Sequence, residues 1–391
     1  MKKFKFFIAS ILFSGMFLIS SCGENEPDVT ITYYGEKEYK ELSKHINIPE
    51  FPYDYSFSLP KHTFLTSTPM NDDLATLGRV LFYDKNLSKD KTISCASCHK
   101  QEIAFSDDVA FSEGVQNRAT ARNSIALGSV LNFAAYYGNF GGIPFFWDNR
   151  AASVQDQSRA TLGNPLEMDM QMHEVADVVN SLDYYKPLIK QAYKGTGDLS
   201  ETQILNAIGE FVNSITNYNT KFDRELDKQW QTYGLSGNNV AREFSGFSAS
   251  ENNGKKLYLQ HCANCHGSNS ARPPVMKANN GLMMQYDDLG VGANTGQSQD
   301  ESMFKVPTLR NIARTAPYMH NGMFKTLKDV INHYSEGIKN HKNLSLDLKT
   351  DSSPKKMNFS ETEKEDLIAF LKTLNDEKVI NDPKFSDPFQ K

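Results

Sequence analysis

Five cysteines occur in the 391 residues, at positions 22, 95, 98, 262 and 265. Four of them form two Cys-x-x-Cys pairs, each followed directly by a histidine: Cys95-Ala96-Ser97-Cys98-His99 and Cys262-Ala263-Asn264-Cys265-His266. Two thiols at this spacing can add to the two vinyl groups of a porphyrin, and the adjoining imidazole can then ligate its iron. This is the attachment pattern of c-type haem. A zinc site would draw the four thiolates together and leave both histidines unexplained. The sequence therefore predicts two covalent c-type haems with His99 and His266 as proximal ligands. No pair of cysteines is left for a disulfide, although the amino terminus points to an oxidising compartment.

Lys2, Lys3 and Lys5 precede an apolar run from Phe6 to Ile19, too short for a convincing membrane span and placed as an export signal is. The run ends in Leu18-Ile19-Ser20-Ser21-Cys22, which resembles the lipobox of bacterial lipoproteins. Residues 1–21 thus read as a lipoprotein signal peptide, Cys22 as the lipidated residue, and 22–65 as a tether and N-terminal extension. The expected location is the periplasmic side of the cell envelope, with the lipid anchor as the sole membrane attachment. A formal net charge of -5 with lysines and acids interspersed leaves no basic stripe. Nucleic acid is therefore excluded as an expected partner.

The elements that must position the motifs come in two similar blocks. Asp73 to Phe82 has helical spacing of Leu74, Leu77, Val80 and Leu81 and leads into the first motif; Ser250 to Leu259 leads into the second. Ser200-Glu201-Thr202-Gln203 and Ser360-Glu361-Thr362-Glu363 are capping-box starts of amphipathic helices that close each block. Strand signals are weak. The expected fold is mainly α, with two tandem c-type cytochrome-like haem domains and long loops. The first domain is placed at 66–230 and the second at 240–376, joined by residues near 225 to 249 and followed by a tail at 377–391.

A family resemblance rests on an ordered set of motifs. Leu77-Gly78-Arg79-Val80-Leu81-Phe82-Tyr83-Asp84, Phe105-Ser106-Asp107, Arg122-Asn123, Phe146-Trp147-Asp148 and Leu166-Glu167-Met168 resemble the N-terminal half of bacterial di-haem cytochrome c peroxidases. Phe304 to Asn311, Thr315 to Gly322 and Thr326-Leu327 resemble the segment that closes over the second haem in that family. The resemblance spans about residues 72 to 375.

The resemblance implies site residues, and the sequence departs from the ordinary peroxidases at two of them. The position of the histidine that caps the resting first haem in many members is Val115 here, and no histidine lies between His99 and His173. The first haem is then five-coordinate and open, with His173 or a methionine as the alternative cap. The usual methionine ligand of the second haem is matched by Tyr334, a MauG-like axial pattern. On a regular helix Leu327, Val330, Ile331 and Tyr334 share one face. Met319, Met323 and His333 are the alternative ligands. A phenolate should hold the iron at lower potential than a thioether does.

By the same matching, Glu167 is the general acid/base beside the open haem and Trp147 lies between the haems. Asn123 with the carbonyls of Thr315 and Pro317 matches a calcium site. His320 matches a family histidine without an assigned role. The implied activity is reduction of hydrogen peroxide at the N-terminal haem, with electrons relayed through the C-terminal haem from a small c-type cytochrome or other periplasmic donor. A MauG-like, peroxide-dependent oxidation of another protein or small molecule is the alternative. A non-enzymatic two-haem electron carrier would need both irons six-coordinate. A homodimer stays open.

Overall fold

The computed structural model describes residues 36–49, 53–58, 70–133, 142–195, 197–234 and 236–390. The expected signal peptide and Cys22 lie outside the described residues. Helices of the first half are α1 Glu36–Leu42, α2 Asp72–Tyr83, α3 Cys95–Cys98, α4 Val154–Gly163, α5 Met172–Ser181, α6 Tyr185–Tyr193 and α7 Glu201–Ser214. Those of the second are α8 Lys221–Tyr233, α9 Ala249–His261, α10 Ala263–His266, α11 Gly292–Thr295, α12 Leu327–Asn332, α13 Glu361–Lys372 and α14 Glu377–Asn381. Among the described residues, strands are reduced to two antiparallel pairs of two residues each: β1 Lys277–Ala278 with β2 Phe304–Lys305, and β3 Lys349–Thr350 with β4 Ser353–Pro354. The fold is mainly helical, as expected. No helix among the described residues is long and apolar enough to cross a membrane.

Each half is built on one helix crossing, and the two crossings match. In the first, α2 carries a buried face of Leu77, Val80 and Leu81 and packs on α7, whose Ile204, Ile208 and Phe211 are buried against it. In the second, α9 packs on α13 through Tyr258, Leu367 and Phe370. At the first crossing a Cβ on Gly78 would stand 1.9 Å from the Ala207 carbonyl oxygen; at the second, a Cβ on Gly254 would stand 1.9 Å from that of Asp366. Glycine at both positions lets the backbones approach, which fixes where the following Cys-x-x-Cys-His turn emerges. Ser200 and Ser360 cap the closing helices with full capping boxes, satisfying N–H groups that a helix start leaves unpaired.

The division between the halves differs from the expectation at two places. Residues 225–249 do not act as a plain linker: Phe222, Leu226 and Trp230 of α8 pack into the second core, so the chain changes cores at about 215–220, between Ile215 and Phe222. The C-terminal tail returns to the first half, where Val379 and Phe385 join the first core. Phe385 sets its ring against Phe57, Phe105 and Phe211 with centroids 6.0, 6.2 and 6.3 Å away. Gln101 Nε2 donates to the carbonyls of Val379 and Asp382, both at 2.9 Å, and Arg79 Nε donates to that of Ser386 at 2.7 Å. The end of the second half thereby braces the loop that follows the first haem motif.

Gly254→Ala should lower stability by about 1–3 kcal/mol, because neither helix backbone can yield to the added methyl without parting. Gly197→Ala, where an added Cβ meets nothing within 4 Å, should be near neutral. Urea unfolding of both variants checks this; equal stability would mean that the crossing is not tightly set.

Candidate functional site

Both Cys-x-x-Cys-His segments open onto cavities. The first is lined by Cys95, Cys98 and His99 and holds about 1210 Å³ of atom-free space, open solvent at its mouth included; the second is lined by Cys262, Cys265 and His266 and holds about 1680 Å³ on the same measure. All four thiols are unpaired. Burial holds them protonated, pushing Cys95 and Cys262 up to about 12 and Cys98 to about 11.

The two histidines are held the same way. His99 Nδ1 lies 3.0 Å from the Phe105 carbonyl oxygen, and His266 Nδ1 lies 3.0 Å from that of Pro307. A carbonyl can only accept, so Nδ1 carries the proton and the Nε2 lone pair is left to face the cavity. Burial lowers both imidazole pKa values, which keeps them neutral and able to ligate. Two thiols, one imidazole lone pair and an extended cavity wall fit a covalently attached, histidine-ligated haem at each position.

The carbonyls are themselves fixed. Phe105, with φ of 60°, sits in a tight loop closed by the Lys100–Ser106 bridge. Pro307 is followed by Arg310, whose guanidinium is fully buried, donates to Asp223 at 2.6 Å and reaches the Asn269 carbonyl at 2.7 Å. A buried pair of this kind is costly to break from one side, so it pins the segment.

Glu167 faces the first cavity. Its Oε1 accepts from Asn164 Nδ2 at 2.6 Å, and the Thr161 hydroxyl is a second partner. Burial raises the carboxyl above its ordinary value, while Thr161, Asn164 and the nearby Arg150 pull it down. Arg150 and Gln157 line the same wall, and Gln157 Nε2 donates to Thr161 Oγ1 at 3.0 Å. This polar group was not foreseen from sequence. Its signal was the i, i+4 spacing of Gln157 and Thr161 on α4, just before Asn164 and Glu167.

Val115 does not line the cavity: its side chain is buried and its N–H donates to the Glu167 carbonyl at 2.9 Å. His173 is exposed on α5. Met168 does line the first cavity, but its sulfur stands 4.0 Å from Cys95 Sγ, beside an attachment thiol.

Trp147 lines both cavities, as do Asn123 and Lys305. Its Nε1 donates to the Asn123 carbonyl at 2.8 Å, and its own carbonyl accepts from Lys305 N–H at 2.7 Å. The indole is thus fixed in the wall the cavities share. Asn123, Thr315 and Pro317 each line the second cavity; Asn123 Nδ2 donates to the Val109 carbonyl at 3.0 Å and leaves Oδ1 as a candidate cation donor.

Tyr334, Leu327, Val330 and Ile331 all line the second cavity, although the regular helix ends at Asn332 and passes into a wider π turn over His333–Gly337. Asn280 Nδ2 lies 3.5 Å from the Tyr334 hydroxyl and 3.4 Å from Met319 Sδ, so two candidate ligands meet at one amide. Burial pushes the Tyr334 phenol up to about 12; a phenolate there at neutral pH requires a metal ion to displace the proton. Neither of the other two alternatives lines this cavity: Met323 is exposed, and His333 is buried with Nε2 3.0 Å from the Asn280 carbonyl oxygen.

Residues 72–231 match the family model described as di-haem cytochrome c peroxidase, and 251–375 match that of cytochrome c. The chain is 30% identical over 320 residues to methylamine utilization protein MauG of Methylorubrum extorquens, covering 80% of each chain. It is 29% identical over 313 residues to cytochrome c551 peroxidase of Nitrosomonas europaea, covering 78% of this chain and 81% of the relative. A crystal structure of a MauG-like protein associated with microbial copper homeostasis superposes with a TM-score of 0.67 at 30% identity, over 86% of this chain and 98% of that one.

Removing the partners of Glu167 tests the geometry around it. Thr161→Val and Asn164→Leu should each move its ionisation to higher pH by about one unit, the worth of a hydrogen bond to a charged group. Infrared titration of the carboxyl stretch reads the midpoint, and an unmoved midpoint would remove both groups from the account.

Proposed function

Because the chain belongs to the di-haem cytochrome c peroxidase family, we propose that it reduces hydrogen peroxide at an open haem on His99 and draws electrons through the haem on His266. Bound there, the first haem supplies an iron at which peroxide is cleaved, and the second stores and passes single electrons. The observation that carries the reading is the make-up of the first cavity. Besides His99 and the two attachment thiols, the described residues that line it offer one thioether, Met168, placed beside Cys95, and no second imidazole.

Glu167 has the environment of a proton carrier. Burial keeps its pKa raised, and Thr161 and Asn164 hold the carboxylate in one orientation, so it can take a proton from peroxide and return it to the departing oxygen. Trp147 shortens the path between the cavities with a conjugated ring. Asn123 Oδ1 and the carbonyls of Thr315 and Pro317 would suit a calcium ion completed by water. The donor is a small c-type cytochrome or similar periplasmic protein, reached from a lipid anchor at Cys22.

A second reading, a MauG-like oxidation of another protein or small molecule, is favoured by Tyr334 in the second cavity. A phenolate ligand lowers the potential of that haem and makes it a better store for oxidising equivalents.

Glu167→Gln should slow the reaction of the resting protein with peroxide by about 10²- to 10⁴-fold. In the parent the rate should fall as pH drops through the raised Glu167 ionisation, since the carboxylate is the acting form; the variant should show a flat profile. Stopped-flow mixing measures both, and an unchanged rate would discard the proton role. Tyr334→Met should raise the potential of the second haem in a redox titration; an unchanged potential would move ligation to Met319.

A further inference from the structure

Trp147 is one end of a run of rings. Its indole meets the His320 imidazole at 6.5 Å between centroids, near edge-on. His320 stacks on Phe304 at 3.7 Å with the planes 13° apart. Tyr286 touches both, 6.1 Å from His320 and 6.0 Å from Phe304. Phe304, His320 and Trp147 line the second cavity, whereas Tyr286 does not and is partly exposed, next to Met284, which is 67% exposed.

We propose that Tyr286, His320 and Phe304 form an aromatic bridge over which single electrons pass between the protein surface and the second haem, with Trp147 continuing it to the first. The claim rests on the peroxide-reducing reading for its direction, inward from an external one-electron donor. Two donor electrons and two protons convert one hydrogen peroxide to two waters, and no bond of any ring is made or broken.

The rings are held where a bridge needs them. The Asn123 N–H donates to the His320 carbonyl at 2.8 Å, while the Asn123 carbonyl holds the Trp147 indole, so one residue ties two rings. Phe304 is fixed by its pairing to Ala278 in β1. The Tyr286 hydroxyl accepts from the Met283 N–H at 3.1 Å. Stacked and edge-on rings at these separations are in contact, so the path from Tyr286 to the cavity crosses π systems instead of saturated chain. The bridge also gives His320 a role.

The test uses the haem-loaded full-length protein. A ruthenium tris-bipyridyl photoreductant is attached to Met284→Cys, and haem reduction is followed after a flash. Tyr286→Leu should slow reduction by about tenfold or more, and Tyr286→Phe, which keeps the ring, should stay within about twofold of the parent. From a label on Leu346→Cys, a residue 86% exposed elsewhere on the second half, Tyr286→Leu should have no effect. An unchanged rate in Tyr286→Leu would overturn the bridge, as would equal slowing from both labels or failure of Tyr286→Phe to retain the rate. The flash needs no peroxide, so this result is independent of the peroxide chemistry.

Discussion

An iron-ligating imidazole is useful only if its other nitrogen is held. In this protein that constraint is met for both candidate ligands by a backbone carbonyl, Phe105 for His99 and Pro307 for His266. A carbonyl cannot donate, so one bond sets the tautomer, the ring direction and the neutrality of the ligand together. Much of the surrounding structure keeps those two oxygens in place. On the first side this is the Phe105 loop, with Phe385 set against it. On the second it is the fully buried Arg310–Asp223 pair.

The two solutions to one problem are not alike in their supports, and the difference ties the halves together. The first loop is braced by the C-terminal tail, the second by α8, which leaves the first half and enters the second core. Each proximal site therefore leans on chain beyond its own motif. Between them the wall that carries Trp147 belongs to both cavities.

How much of this was legible in the sequence follows from what kind of atom does the work. Covalent attachment demands two thiols and a histidine at fixed spacing, so both haem sites could be read at once. The closing helices were readable because Ser200 and Ser360 with their acidic or amide partners satisfy helix starts by local bonds. Phe105 and Pro307 act through backbone oxygens, which no residue type announces. The face of α8 was hidden because Phe222, Leu226 and Trp230 stand among Lys221, Asp223, Arg224, Glu225, Asp227 and Lys228. The tail has too few apolar residues for any period to show. Tyr334 lines the second cavity although it stands inside the π turn that begins at His333, beyond the regular helix on which its direction was read.

The central claim is that the first haem is open at rest while the second is not. Electron paramagnetic resonance of the haem-loaded ferric protein, before and after addition of hydrogen peroxide, addresses it most directly. The account predicts a high-spin signal beside a low-spin one, with the high-spin signal lost promptly on peroxide addition. Two low-spin signals that ignore peroxide, in the resting and in the half-reduced protein alike, would contradict it and make the protein an electron carrier.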